Sequence, residues 1–244
     1  MNREGDSLKV VDIATKNTDE KETQVLITLQ DEAKKKTPKI LTPKETILEQ
    51  KREVSLKEEK DNNRYYVYVK GDVVLTTDSV SDAIITANSQ MGVVIGENQQ
   101  YVWKRSRKTA QAAFNDIVVG EEDSGAGSIA QCVNAILEKE GINISVSALI
   151  SQGETPKQIL LNTLKDAVVL DLTGCTVDEI LYYVSNGYPV FAMTGSNDAV
   201  LVVGYDANNV VLYDPAMGQT YKRTIADADE MFFNAGNIFF TYQK

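Results

Sequence analysis

The sequence predicts an α+β protein in which a run of helices is followed by antiparallel strands, with a small β-β-α-β-β unit placed before both. Three observations lead there. Apolar residues recur at helical spacing in four segments between Gly127 and Ser185. Short β-rich runs joined by turn residues take over from Pro189 to Tyr242. Upstream, between Tyr65 and Trp103, strand patterns flank one short helical pattern. Helices first and strands afterwards is the α+β order, with the helices expected on one side of the sheet.

In chain order, Leu8 to Ile13 and Gln24 to Leu29 are apolar runs suited to a hairpin or to strands added to another domain. Residues 44–61 hold 11 charged side chains of both signs, which reads as a solvated helix or linker. Tyr65 to Val69 is a strand ended by Lys70-Gly71-Asp72, and Val73 to Thr76 is its partner. Ser79 to Asn88 carries a Ser cap and helical spacing, and Met91 to Ile95 and Gln100 to Trp103 are two more strands. Arg105 to Ile117 reads as a basic-ended helix. Gly127 to Glu140 places Ile129, Cys132, Val133, Ile136 and Leu137 on one helical face and stops at Gly141. Ser145 to Ile150 opens a second helix, and Pro156 to Leu164 a third with proline in its first turn. Thr176 to Ser185 has Asp178 and Glu179 where the helix dipole favours them. Pro189 to Met193, Ala199 to Val203, Val210 to Tyr213 and Ile238 to Tyr242 are strands. The expected divisions are 1–61, 62–104 and 105–244.

Composition excludes several functions. Formal net charge is -10; residues 1–120 balance 19 basic against 19 acidic side chains, whereas residues 121–244 hold 6 against 16. So acidic a C-terminal half repels phosphate backbones, so nucleic acid is set aside as a partner. No stretch approaches the roughly 20 apolar residues of a membrane span, and the N-terminus carries no basic-then-apolar leader. The polar start, Met1 to Ser7, is compatible with the trimmed edge of a longer anchored or exported protein. The two cysteines, Cys132 and Cys175, match no zinc spacing. The chain contains no histidine, which removes imidazole acid/base chemistry and His-containing metal sites, and no cofactor is implied.

The segments TVDEILYYVSNGYPVFAMTG and GSNDAVLVVGYDANNVVLYDP, following the helix at Gly127 to Glu140, resemble the papain-like cysteine peptidases that process double-glycine leader peptides, and their secreted relatives. The resemblance covers about residues 120–244, and its most specific part is Gly195 to Pro215. It implies a papain-like domain, helices packed on an antiparallel sheet. In that family a Cys at the start of the central helix is the nucleophile, a His opening the strand that ends in Gly-Tyr-Asp is the base, and an Asp or Asn before Pro orients the His. Here Asp214 matches the orienting residue and Asp198 stands where the His would be. Matching Ser124-Gly125 to Cys-Gly puts Ser124 at the nucleophile position, with a helix a turn longer than usual; the other register uses Cys132, inside the helical pattern. No Gln stands upstream in VVGEED, where the family places an oxyanion-hole residue. The chain therefore resembles a degenerate member lacking the catalytic His.

That pattern disfavours cysteine chemistry. A thiol ionises near pH 7 when a cation or helix terminus supports it, and two carboxylates at positions 198 and 214 do the reverse. Cys132 has three readings: a core thiol, a disulfide with Cys175, which fits the oxidising surroundings of secreted relatives, or a nucleophile. Asn197, Asp198 and Asp214 offer hard oxygen ligands for a cation such as calcium; otherwise the two aspartates are turn or strand-end residues, and Asp206 is a hairpin-turn residue. Eleven tyrosines supply edge-of-core packing and cleft-lining surface. The expected function is a non-catalytic binding or scaffold domain of a bacterial extracellular or cell-surface protein, contacting peptide or protein. The alternatives are a cysteine peptidase whose site is altered, and a sensor or self-association module.

Overall fold

The computed structural model describes residues 63–105, 108–114 and 116–244, all within one compact unit, Asp61–Lys244. The expectations for Leu8 to Ile13, Gln24 to Leu29 and residues 44–61 lie outside the described residues. The β-β-α-β-β unit is present: β1 (Tyr65–Val69), β2 (Asp72–Thr77), α1 (Val80–Ser89), β3 (Val93–Gly96) and β4 (Tyr101–Lys104). Ser79 caps α1, its side chain accepting from the Asp82 N–H. All pairings are antiparallel in the order β2-β1-β3-β4. Alternation turns Val67 and Val94, both fully buried, toward Ala83, Ile84 and Ala87 of α1.

The larger sheet has the order β10-β9-β8-β7-β11-β6, with β5 pairing on β8, and is antiparallel throughout. Its strands are β5 (Gln111–Ala112), β6 (Val168–Asp171), β7 (Val190–Met193), β8 (Ala199–Tyr205), β9 (Asn209–Asp214), β10 (Gln219–Thr224) and β11 (Phe239–Gln243). The helices α2 (Ser128–Lys139), α3 (Val146–Ser151), α4 (Pro156–Thr163), α5 (Val177–Ser185) and α6 (Ile225–Asn234) complete the unit. Helices packed on an antiparallel sheet, preceded by a β-β-α-β-β module, is the α+β order expected from the sequence.

Two expectations are corrected. Helices cover both faces of the sheet rather than one. Leu201, Val203 and Phe191 pack with α2, α3 and α4, while Val200, Val202 and Ala192 pack with α5 and α6. All seven residues of β8 are buried, which a strand with one wet face does not permit. Second, the described part of Arg105 to Ile117 holds no helix. Gln111 and Ala112 instead pair with Tyr205 and Gly204, and the approach is so close that a Cβ on Gly204 would lie 3.0 Å from the Gln111 carbonyl oxygen. The strand expected over Ile238 to Tyr242 is present as Phe239–Gln243 and lies between β7 and β6. Strands β5, β6 and β10 and helix α6 were not anticipated. The β10 residues QTYKRT alternate between exposed and half-buried, so they carry little apolar signal.

The small sheet is fastened to the large one through α5. Glu179, buried in the first turn of α5, accepts from Asn88 Nδ2 at 2.9 Å and from the Thr176 N–H at 2.8 Å, and its carbonyl accepts from Trp103 Nε1 at 3.0 Å. Trp103 also packs on Tyr182, ring centroids 6.3 Å apart. One core runs through both, from Val67 and Ile84 to Tyr183, Val202 and Phe232.

Candidate functional site

The site is assembled where the central helix α2 meets the start of β8. Gly127 enters α2 in extended conformation without a side-chain cap, so Ser128 is the first helical residue. Its Oγ accepts from the Ala199 N–H at 3.1 Å and lies 3.5 Å from both the Asn197 carbonyl oxygen and Asp198 Oδ1. Asp198 is exposed at the end of the Gly195-Ser196-Asn197 turn, whose backbone is closed by the Thr194 N–H on the Asp198 carbonyl at 2.8 Å. Asp214 ends β9 and is half-buried; its Oδ1 accepts from the Ala216 N–H at 2.9 Å. Tyr213 pairs with Leu201, which sets Asp214 toward the Asp198 end of the adjoining strand.

Neither of the residues expected at the nucleophile position, Ser124 and Cys132, is the side chain that meets Asp198. Ser124 follows a single 3-10 turn, Glu121–Asp123, and its Oγ donates to the Glu121 carbonyl at 2.9 Å, an ordinary turn-closing bond. Cys132 lies one helical turn past Ser128 with 0% exposure; burial, and then the charge of Asp214, push its thiol well above the ordinary range. The side chain that meets Asp198 is thus Ser128, four residues after Ser124 and four before Cys132. Ser128 stands midway between the two registers read from the sequence.

Cys132 and Cys175 are both free thiols, so the disulfide reading is corrected. They occupy different cores: Cys132 packs with α2, α3 and α4 on one face of the sheet, and Cys175 with α1 and α5 on the other. Burial first, then the charges of Glu179, Asp171 and Asp82, raise the Cys175 thiol beyond any physiological pH. Asp206 is a hairpin-turn residue, as expected. It accepts from the Asn208 and Asn209 N–H groups and from Lys222 Nζ at 2.8 Å, which hold its carboxyl well below the usual range. Among the described residues no group of three or more Asp, Glu or Cys side chains is placed to hold a metal ion.

The loop before α2 is held by residues that sequence reading passed over. Asp123, fully buried, accepts from the Val146 and Ser147 N–H groups, each at 2.8 Å, and from Asn134 Nδ2 at 3.1 Å. Its carboxylate therefore sits on the N-terminus of α3, where the dipole and the unpaired N–H groups favour an anion. Asn134 Oδ1 accepts from the Gly120 N–H, and Gln131 Nε2 donates to the Ala126 carbonyl at 2.6 Å. Asn134 and Gln131 are polar residues on an otherwise apolar helix face, and that mismatch was the legible sign of a buried network.

No protein-family model matches the chain, and no curated protein matches it. Among solved structures the chain is similar to a crystal structure from Bacillus anthracis assigned provisionally as a C39-like peptidase, at 15% identity over 56% of this chain and 98% of that one, with a TM-score of 0.48.

Proposed function

We infer that this chain carries a papain-like domain that has lost cysteine-peptidase chemistry and serves as a non-catalytic binding or scaffold module, contacting peptide or protein outside a bacterial cell. The observation that carries the reading is the pairing at the start of α2: a serine hydroxyl faces a carboxylate, in a chain without histidine. A serine needs an explicit base to attack a carbonyl, and a carboxylate is a far weaker base than imidazole. The hydroxyl is already used as a staple, accepting from the Ala199 N–H. The thiol one turn further on is inaccessible and held protonated, so it offers no substitute nucleophile. Among the described residues no helix is long and apolar enough to cross a membrane.

The test pairs labelling with activity. Iodoacetamide should modify Cys132 only after unfolding, at any pH from 5 to about 9, where an ordinary exposed thiol near 8.5 would react, and a quenched-fluorescence peptide library should show no turnover. Labelling of folded Cys132 below pH 7, or covalent capture of Ser128 by a serine-directed fluorophosphonate, would overturn the reading. The second reading, a peptidase whose site was altered by substitution, draws on Ser128 itself, which stands first in the central helix opposite Asp198. The double variant Ser128→Cys with Asp198→His separates the two: recovered cleavage supports a recent substitution, and continued inactivity supports long-standing loss.

A further inference from the structure

The face of the small sheet turned away from α1 is a concavity of about 550 Å³, within the range of roughly 300–1,000 Å³ usual for ligand sites. Tyr68 and Val93, paired across β1 and β3, and Ile95 and Tyr101, paired across β3 and β4, form its floor, and Met91 stands at its rim. Folding does not require these side chains to be wet. Met91 is 81% exposed and Tyr101 51% exposed, while the opposite face of the same strands is sealed against α1.

Three turns rim the concavity. Lys70, Met91 and Gln99 all line it and all have positive φ, at 53°, 55° and 60°. Each has a local reason: Lys70-Gly71 form the two-residue turn between β1 and β2, Met91 follows the C-cap of α1, and the Gln99 N–H closes the turn between β3 and β4 on the Gly96 carbonyl. Between Met91 and the floor, Gly92 is obligatory, because a Cβ there would lie 2.6 Å from the Tyr68 carbonyl oxygen.

Charge selects the ligand. Lys70 lies at the mouth with no ion-pair partner among the described residues, and no carboxylate lines the concavity, in a chain of net charge -10. We propose that this concavity binds a short peptide segment that presents an apolar side chain to the Tyr68, Val93, Ile95 and Tyr101 floor and an adjacent acidic side chain to Lys70. Tyrosine supplies rigid contact area with a hydroxyl at its tip, which suits peptide recognition. The site stands on the opposite side of the small sheet from α1 and shares no residue with the Ser128 and Asp198 pairing, so it holds whether or not that pairing is catalytic.

The test is a titration of the isotope-labelled full chain, followed by amide chemical shifts, with three probes: acetyl-Leu-Asp-Leu-Asp-amide, acetyl-Leu-Lys-Leu-Lys-amide and decanoate. The acidic peptide should give saturable shifts at Tyr68, Gly71, Gly92 and Tyr101. Lys70→Ala should weaken it about threefold, the size of one exposed ion pair, and Lys70→Glu more, while the basic peptide gains on Lys70→Glu. Met91→Ser serves as an independent variant that leaves the charge untouched and should also weaken the acidic peptide. Equal binding of both peptides, shifts confined to Ser128 and Asp198, absence of shifts with either peptide, or decanoate matching the acidic peptide would each overturn the proposal.

Discussion

Two aspartates lie close to the start of the same helix and are treated in opposite ways. Asp123 is fully buried and accepts three hydrogen bonds at 2.8 to 3.1 Å, joining the loop before α2 to the N-terminus of α3. Asp198 is exposed, and its carboxylate meets one hydroxyl at 3.5 Å. The carboxylate that supports the scaffold is fully engaged, whereas the one beside Ser128 is loosely held. A side chain is fixed in one geometry by packing and by its hydrogen-bond partners; Asp123 has both, whereas Asp198 has a single long contact in an exposed turn.

The contrast breaks first at Asp123. Asp123→Ala leaves the Val146 and Ser147 N–H groups without their acceptor and takes from Asn134 Nδ2 one of its two, the other being the Ile144 carbonyl, and should cost about 3 kcal/mol in urea unfolding followed by circular dichroism. Asp123→Asn keeps an acceptor and should cost clearly less; equal losses would show that packing rather than hydrogen bonding is at stake. Next in size is Glu179→Ala, which unpairs Asn88 and Thr176 and should cost about 2 kcal/mol, with Trp103 fluorescence shifting as the small sheet loosens.

A smaller, pH-dependent effect is expected at Glu140. Partial burial tends to raise its carboxyl, but hydrogen bonds and charges from Lys244, Tyr242 and Lys139 prevail and lower it. A lowered acid contributes stability above its unfolded value of about 4.3, and that contribution is lost as pH falls through the folded value. Glu140→Gln should therefore flatten the loss of stability below about pH 4.3 without changing its shape at higher pH. The smallest effect belongs to Asp198. Asp198→Asn should leave unfolding free energy within about 0.5 kcal/mol of the unaltered chain, as for other exposed positions. A loss comparable to that at Asp123 would mean that the 3.5 Å contact understates its grip on Ser128.

The small unit and the four helices from α2 to α5 were legible because their signals are local. Ser79, Thr155 and Pro156 mark helix starts, and YYVYV and AVLVVGY are β-branched and aromatic runs. Strand β10 and helix α6 were not, since QTYKRT and IADADEMFFN bury little and depend on the strands and helices they lean against. At the site, the resemblance singled out Asp198 and Asp214 and offered Ser124 or Cys132 opposite them; that Ser128 is the residue that meets Asp198 depends on where the helix begins. Gly127 starts it without a capping side chain, so no local mark distinguished that boundary.

By itself the sequence determined the chemistry that this chain lacks: with no histidine, no imidazole base exists wherever the chain folds. It also determined the alternation of helix and strand periods, because apolar spacing is a property of neighbours along the chain. Only the tertiary structure decided that helices cover both faces of the sheet, that Cys132 and Cys175 lie in separate cores, and that Ser128 meets Asp198. Those facts depend on contacts between residues some 40 to 70 positions apart, and such distances are set by the packing of whole elements rather than by any local pattern.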